Sequence, residues 1–178
     1  MSTDTDSSTS SALVSTQQRS ALRKLLAKSL ATCRLVDLQA YLQKGGLPSA
    51  VIYYSRATDR WYPDQADHVG ADQVRGGTIL CPFCRDNLQA HVLALLQAGA
   101  DIDGGDQTFT PLSAAANSGS TQMIQLLLER GAQVDYDSGN GTALVTACGD
   151  GQLAAVELLL AAGADIHCLL PRSAGAYP

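Results

Sequence analysis

The chain has 178 residues, of which 12 are Lys or Arg and 17 are Asp or Glu, so its formal net charge is −5. This length suits one domain with its own core, the negative charge argues against a general nucleic-acid binder, and no apolar run approaches a membrane span. Residues 1–85 contain ten basic and seven acidic side chains, whereas residues 86–178 contain two and ten. We expect a protein partner and neither nucleic acid nor a membrane. A basic partner surface would be steered to the acidic half; the alternative is that its Asp residues serve the turns as hydrogen-bonding groups.

Five cysteines stand at positions 33, 81, 84, 148 and 168, and no secretory signal precedes them. An odd number of cysteines without such a signal favours reduced thiols inside the cell over a disulfide framework. The expected location is the cytoplasm, with the nucleus as the alternative. Residues 19–34 are basic and Leu-bearing after a Ser-rich start, as in a mitochondrial presequence, but Asp4 and Asp6 argue against that interpretation.

The N-terminal segment up to Gly46 divides into a polar tail and a pair of predicted helices. Residues 1–16 are mostly Ser, Thr and Asp, a composition that predicts a disordered tail. Residues 17–46 carry two apolar stripes at helical spacing, namely Leu22, Leu25, Leu26 and Leu30, then Leu35, Leu38, Tyr41 and Leu42. When Gly45 is aligned with Gly131 of a later repeat, Leu38 matches Ile124. We therefore interpret residues 17–46 as a degenerate N-terminal capping repeat.

Residues 47–77 form an insertion between the first unit and the next. Gly45 and Gly99 stand much further apart than Gly99 and Gly131, which are separated by one repeat step, so extra chain is inserted between the first two units. Residues 51–54 predict a short strand, residues 61–63 an aromatic turn, and Gly76-Gly77 a flexible return. Four aromatic residues of this segment are candidate protein contacts, namely Tyr53, Tyr54, Trp61 and Tyr62. The alternative is that these aromatic residues pack back against the repeats.

The strongest catalytic-looking motif is Cys81-Pro82-Phe83-Cys84. It resembles the glutaredoxin active site, in which a helix N-terminus activates the first thiolate. It also has the spacing of half a zinc site, which His68, His91 or Cys33 would complete. A redox domain needs a strand before the motif, and residues 73–77 are a weak one. We favour a third interpretation, buried structural thiols in crowded helix packing, and expect no metal and no cofactor.

One sequence pattern occurs three times between residues 78 and 166. The segment 95–102 returns as 127–134 and, after the same step, as 159–166, and Thr110-Pro111-Leu112 recurs in that register as Thr142-Ala143-Leu144. Thr caps helix starts, Pro suits the first helical position, and the Gly in each copy of the segment suits a helix end, so each unit predicts two helices. A single unit cannot bury its apolar stripe, and the units must therefore stack.

These cap and apolar positions resemble the ankyrin-repeat family, specifically over residues 110–166, less so over 78–109 and weakly over 22–46. The resemblance implies an all-α solenoid of stacked helix-turn-helix units: three repeats over 78–166, an inserted loop or small hairpin after the first unit, and a C-terminal tail over 167–178. It also implies that turn tips and first helices line a concave binding surface. The candidate contacts there are Phe109, Ser113, Asn117, Tyr136, Val145 and Thr146.

We predict a non-catalytic protein–protein interaction module, a scaffold or adaptor that binds its partner on the concave, acidic, turn-lined surface. Nothing in the sequence points to hydrolysis or phosphoryl transfer, since it has no Gly-rich phosphate loop with Lys. After residue 166 too little chain remains for another helix pair, which predicts self-association through the uncapped last repeat. The alternative function is a thiol-redox or zinc-dependent activity at Cys81 and Cys84, which a metal assay with thiol titration would distinguish.

Overall fold

The computed structural model describes residues 7–55, 60–62, 74–104, 109–137, 139 and 141–169. The chain separates into two compact units, residues 1–47 and 48–178, and each is described by itself. Within the described ranges, no helix combines the length and the apolar character that crossing a bilayer requires.

The N-terminal unit consists of two contacting helices, α1 (Ser7–Thr32) and α2 (Leu35–Gln43). Asp37 joins them, because Thr32 Oγ1 donates to its Oδ2 at 2.9 Å and Lys28 Nζ lies 2.7 Å from its Oδ1. The hydrogen bonds from Lys28 and Thr32 lower the pKa of the Asp37 carboxyl. This polar link therefore fixes the start of α2 against the end of α1.

The second helix of this unit follows the repeat pattern, whereas the first departs from it. Aligning Gly45 with Gly131 places a second helix at residues 35–43, and these are the bounds of α2. The helix α1, however, has 26 residues and begins at Ser7, inside the segment for which the composition predicts a disordered tail. Residues 1–6 lie outside the described residues. The disordered tail and the capping role of residues 17–46 stay predictions.

The insertion contains a three-stranded sheet in the order β2-β1-β3, with β1 at Val51–Ser55, β2 at Arg60–Tyr62 and β3 at Val74–Thr78. Both neighbours of β1 run antiparallel to it, so the predicted small hairpin is confirmed and extended by one strand. The predicted aromatic turn is wrong at Trp61 and Tyr62, which lie in β2, as aromatic residues favour strands. The predicted flexible return is also wrong, because Gly76 and Gly77 pair with β1.

The rest of the second unit is a stack of three helix pairs. The first helices are α3 (Leu80–Arg85), α5 (Pro111–Asn117) and α7 (Ala143–Gly149), and the second helices are α4 (Gln89–Gln97), α6 (Thr121–Glu129) and α8 (Leu153–Ala161). A short 3₁₀ helix, Ile166–Leu169, follows. The helix α3 packs on α5, α5 packs on α7, and α6 packs on α8. The all-α solenoid predicted from the repeats is confirmed.

Residues at equivalent positions cap the first helices of the last two pairs, whereas α3 begins without a side-chain cap. Thr110 Oγ1 accepts the Ser113 backbone N–H at 3.0 Å, and Thr142 Oγ1 accepts that of Val145 at 3.4 Å, so both act as helix caps. The residue between the two helices of a pair has a positive φ in all three units: 55° at Asn87, then 69° and 68° at the glycines 119 and 151. The core leucines 95, 127 and 159 are fully buried. Local capping and nearest-neighbour packing therefore build the whole array.

Candidate protein-interaction surface

Carboxylates in the turns join adjacent repeats. Asp103 accepts two hydrogen bonds from Gln133, from the backbone N–H at 2.9 Å and from Nε2 at 3.0 Å. One unit later, Asp135 Oδ1 accepts the backbone N–H of Asp165 at 3.0 Å. The two acceptors occupy equivalent positions of successive units, so the bond recurs with the repeat. The sequence contains this signal as Asp in the same register at positions 103 and 135, but it does not reveal that the bond crosses between units.

Three further carboxylates lie exposed along the same turns, Asp101, Asp137 and Asp165. Each uses Oδ1 to accept backbone N–H groups of its own turn: Asp101 from Asp103, Asp137 from Gly139 and Gly141, and Asp165 from His167. Such bonds are the ordinary use of Asp in turns. The charges still face solvent, and residues 131–169 contain no Lys or Arg to neutralise them. The turns therefore form a negatively charged edge, here called the acidic edge and defined by these three residues.

Two of the predicted contact residues are too buried to reach a partner. Phe109 is 9% exposed and Ser113 is 3% exposed. The Phe109 carbonyl accepts from Cys81 Sγ at 3.2 Å, and Ser113 exchanges hydrogen bonds with the capping residue Thr110. The Phe109 carbonyl thus joins two adjacent units, whereas the Ser113 bonds belong to the start of its own helix. The prediction that these two residues contact a partner is corrected for this reason.

The other predicted contacts on the repeats remain partly accessible. Asn117, Tyr136, Val145 and Thr146 are all half-buried. Asn117 Nδ2 donates to Asp150 Oδ2 at 2.6 Å, which ties the end of α5 to the end of α7. The contact of these four side chains with a partner stays a prediction.

The register of the insertion sheet brings the predicted aromatic residues together in pairs. Tyr53 lies opposite Tyr62, and Tyr54 lies opposite Trp61. The side chain of Tyr53 is half-buried, and those of the other three lie outside the described residues. Both interpretations, an aromatic binding site and packing against the array, therefore stay open.

The Cys81-Pro82-Phe83-Cys84 motif lies in α3, in the core of the first of the three helix pairs. Both cysteines are fully buried, with Cys81 Sγ at 3.8 Å from Thr78 Oγ1. Burial raises the pKa of the Cys81 thiol to about 12. Burial, and then the neighbouring Cys81, raise the pKa of the Cys84 thiol well above its usual range. A catalytic thiolate needs the opposite shift, so the geometry supports structural thiols.

No metal cluster accompanies this motif in the described ranges, where no three His, Cys, Asp or Glu side chains converge. His91 is 6% exposed and stacks on Phe83, with ring centroids 4.9 Å apart. His68 lies outside the described residues. Cys81, Cys84 and His91 thus pack in the core, and the zinc alternative stays a prediction for the metal assay.

Thiol alkylation of the native protein tests the buried-thiol interpretation. We expect an alkylating reagent at mildly alkaline pH to modify the exposed Cys148 and to leave Cys81 and Cys84 unmodified until denaturant is added, as read by peptide mass spectrometry. Their raised pKa values also predict that stability is fully present below about pH 9 and falls as the pH rises towards 12, because the unfolded thiols lose their protons first. The Cys148→Ala variant is the control, because it lacks this exposed thiol and shows how much alkylation the other cysteines undergo. Fast native alkylation of Cys81, or one tightly held zinc, would contradict this interpretation.

Three helix pairs that stack in register, with threonine caps on α5 and α7 and turns joined by hydrogen bonds, define a helical repeat protein. Residues 83–169 match the family of ankyrin repeats in three copies. This array belongs to the ankyrin-repeat family, whose members are generally protein–protein interaction modules and typically non-catalytic. No curated protein matches the chain significantly.

Proposed function

We propose that the chain is a non-catalytic scaffold or adaptor whose ankyrin array binds a protein partner bearing a basic surface. One observation carries the proposal: Asp101, Asp137 and Asp165 stand exposed along the turns of successive units, in a part of the chain with almost no compensating cations. A basic surface is attracted to such an edge, beside which Arg130 shares a pocket with Asp101 and residues 131–169 contain no Lys or Arg.

The hydrogen bonds between units support the proposal because they make the edge rigid. Asp103 and Asp135 hold each turn to the next one, so the spacing of the exposed charges is fixed before a partner arrives. Binding to a preorganised surface loses less conformational entropy. The half-buried Asn117, Tyr136 and Thr146 would supply polar and aromatic contacts beside the charges. The proposed location is the cytoplasm or the nucleus, where these thiols stay reduced.

The triple variant Asp101→Asn, Asp137→Asn, Asp165→Asn tests this function. Asn keeps the oxygen that accepts the turn hydrogen bond and removes the charge, so the fold is retained and three ion pairs with the partner are lost. Exposed ion pairs contribute up to about 1 kcal/mol each, so we expect a roughly tenfold to hundredfold weaker complex. The measurement is a quantitative pull-down with the immobilised chain, followed by titration of the captured protein at low and high ionic strength.

A control with the same change in charge separates the acidic edge from the net charge. It carries two substitutions of exposed acids in a helix and a cap rather than in these turns, namely Asp86→Asn and Glu129→Gln, and is compared with the edge pair Asp137→Asn and Asp165→Asn. We expect the control to keep the partner that the edge variant loses. Equal retention by both variants, together with binding that does not respond to salt, would contradict the proposal and direct attention to the aromatic residues of the insertion.

A further inference from the structure

The outer side of the last repeat is an apolar surface, here called the terminal face and defined by Cys148, Leu153, Val156, Leu160 and Ile166. Leu153 is 77% exposed, Leu160 41% and Ile166 55%. Cys148 is exposed and Val156 is half-buried. Solvated leucine and isoleucine side chains that adjoin one another in this way mark an interaction site more often than isolated ones do.

Part of the terminal face corresponds to the interface between repeats. The equivalents of Cys148 and Val156 one unit earlier are buried, whereas the equivalents of the other three residues, Thr121, Leu128 and Val134, are half-buried. The position of Cys148 is occupied by Cys84 and Ala116 in the preceding units, and both are fully buried there. In the same way Ile124, the equivalent of Val156, is fully buried, because α6 packs on α8. The shape that receives a helix pair between units is therefore repeated at the end of the array. An α-helix laid along α7 and α8 fits it.

The charges around this surface favour a basic occupant over a second copy. Glu157 lies between Leu153 and Leu160 on α8, and Asp165 precedes Ile166; both acids are exposed, and residues 131–169 contain no Lys or Arg. Two copies meeting through this face would bring like charges together, which opposes the symmetrical form of the predicted self-association. A helix with a Leu-type stripe flanked by Lys or Arg would bury the apolar side chains and neutralise the acids.

We propose that the terminal face docks a basic amphipathic helix of a protein partner, which lies where the next repeat of the array would lie. This surface is defined by other residues than the acidic edge and adjoins it at Asp165, which precedes Ile166. An apolar stripe in a groove with cations at its rim is an established mode of helix recognition. The adjoining Cys148 is covered when the helix binds.

A synthetic peptide copying residues 17–32 of the chain provides a probe with this chemistry, because it carries four Leu and four Lys or Arg. Its ends are acetylated and amidated, and a scrambled peptide of identical composition is the control. The receiving protein has Cys33 and Cys168 replaced with Ser. We expect the amphipathic peptide to bind, measured by fluorescence anisotropy, and to slow alkylation of Cys148. We expect the scrambled peptide to do neither.

Variants of the terminal face make the test decisive. Leu153→Gln with Leu160→Gln keeps side-chain size at exposed positions, so the fold is retained, and we expect affinity to fall at least about tenfold. Glu157→Lys should weaken binding of the basic peptide through charge alone. The pair Asp101→Asn and Asp137→Asn should leave it unchanged, which distinguishes this site from the acidic edge.

Four results would overturn the proposal. The first is equal affinity for the amphipathic and scrambled peptides, and the second is equal affinity for the wild type and the Gln variant. The third is a dimer in sedimentation that the Gln variant dissociates, since this result would assign the terminal face to a second copy. The fourth is faster Cys148 alkylation after deletion of residues 170–178, since this result would assign the face to the chain's own terminus.

Discussion

Replacing Phe83 with alanine is expected to lower the free energy of unfolding by roughly 3–5 kcal/mol. Phe83 is fully buried in α3 and stacks on His91 at an angle of 24° between the rings. Truncation removes both the apolar transfer energy and the aromatic contact, and it leaves a cavity between closely packed helices. A loss of this size is a large part of the total stability of an ordinary domain, about 5–15 kcal/mol.

The matched comparison for Phe83→Ala is the same kind of truncation at an exposed position. Leu153→Ala should change the stability by no more than about 0.5 kcal/mol, because its side chain is 77% exposed. The loss of stability caused by Phe83→Leu should lie between the losses caused by Phe83→Ala and Leu153→Ala. Urea denaturation followed by far-UV circular dichroism measures the stability of all three variants. The comparison holds when the slope of the unfolding free energy against urea concentration is the same for each. A Phe83→Ala loss as small as that of Leu153→Ala would show that the Cys-Pro-Phe-Cys segment lies outside the core.

The regular helices could be predicted from the sequence because their signals are local. Thr110 with Pro111 marks a helix start, and Gly131 marks a helix end, where its φ of 92° and the bond from the Ala132 N–H to the Leu127 carbonyl at 3.0 Å form the expected stop. Because the repeat step is constant, the bounds of α6 also predict those of α8. Asn87 shows the limit of this reasoning, since it takes the left-handed position that Gly holds in the later units.

The sheet of the insertion could not be predicted fully because its pairing is not local. Gly76 and Gly77 by themselves indicate a flexible return, yet they lie in β3 because the neighbouring strand β1 supplies their hydrogen-bonding partners. A glycine run carries no side-chain pattern that would indicate this pairing. The nearby Pro63 likewise indicates a turn at Trp61, whereas the aromatic character of Trp61 itself favours the strand that forms.

The candidate site could be predicted in its charge but not in its accessibility. The acids of the turns are visible in the sequence, and Asp137 and Asp165 are indeed exposed. Phe109 and Ser113, in contrast, are buried, and the Phe109 carbonyl bonds Cys81 of the preceding unit. Burial at such positions follows from tertiary contacts that the repeat pattern does not specify.

Removing one whole repeat period is expected to leave a folded, less stable array. Deletion of residues 111–142 joins Thr110 to Ala143, so the cap, the helix start and the step are all conserved at the junction. The helix α7 would then pack on α3 through the small residues that α5 uses. The stability lost is that of one repeat and one interface, because each unit contacts only its neighbours.

Deletion of residues 111–126 is the matched control. It removes half of one period and joins Thr110 to Leu127, which places the end of a second helix where a first helix must start. The apolar stripe of α6 is lost and the following units no longer have a complete neighbour. We expect this shorter deletion to lower the stability far more than the longer one. If only the number of deleted residues mattered, the longer deletion would be the more damaging.

Urea unfolding of these two deletion variants, followed by far-UV circular dichroism, tests the stacking of interchangeable helix pairs most directly. The stacked array predicts that the variant lacking 111–142 keeps the helical signal per residue and unfolds in one cooperative transition at lower urea than the full chain, whereas the variant lacking 111–126 loses both. A non-cooperative, poorly helical variant lacking 111–142, or equal behaviour of the two variants, would contradict it.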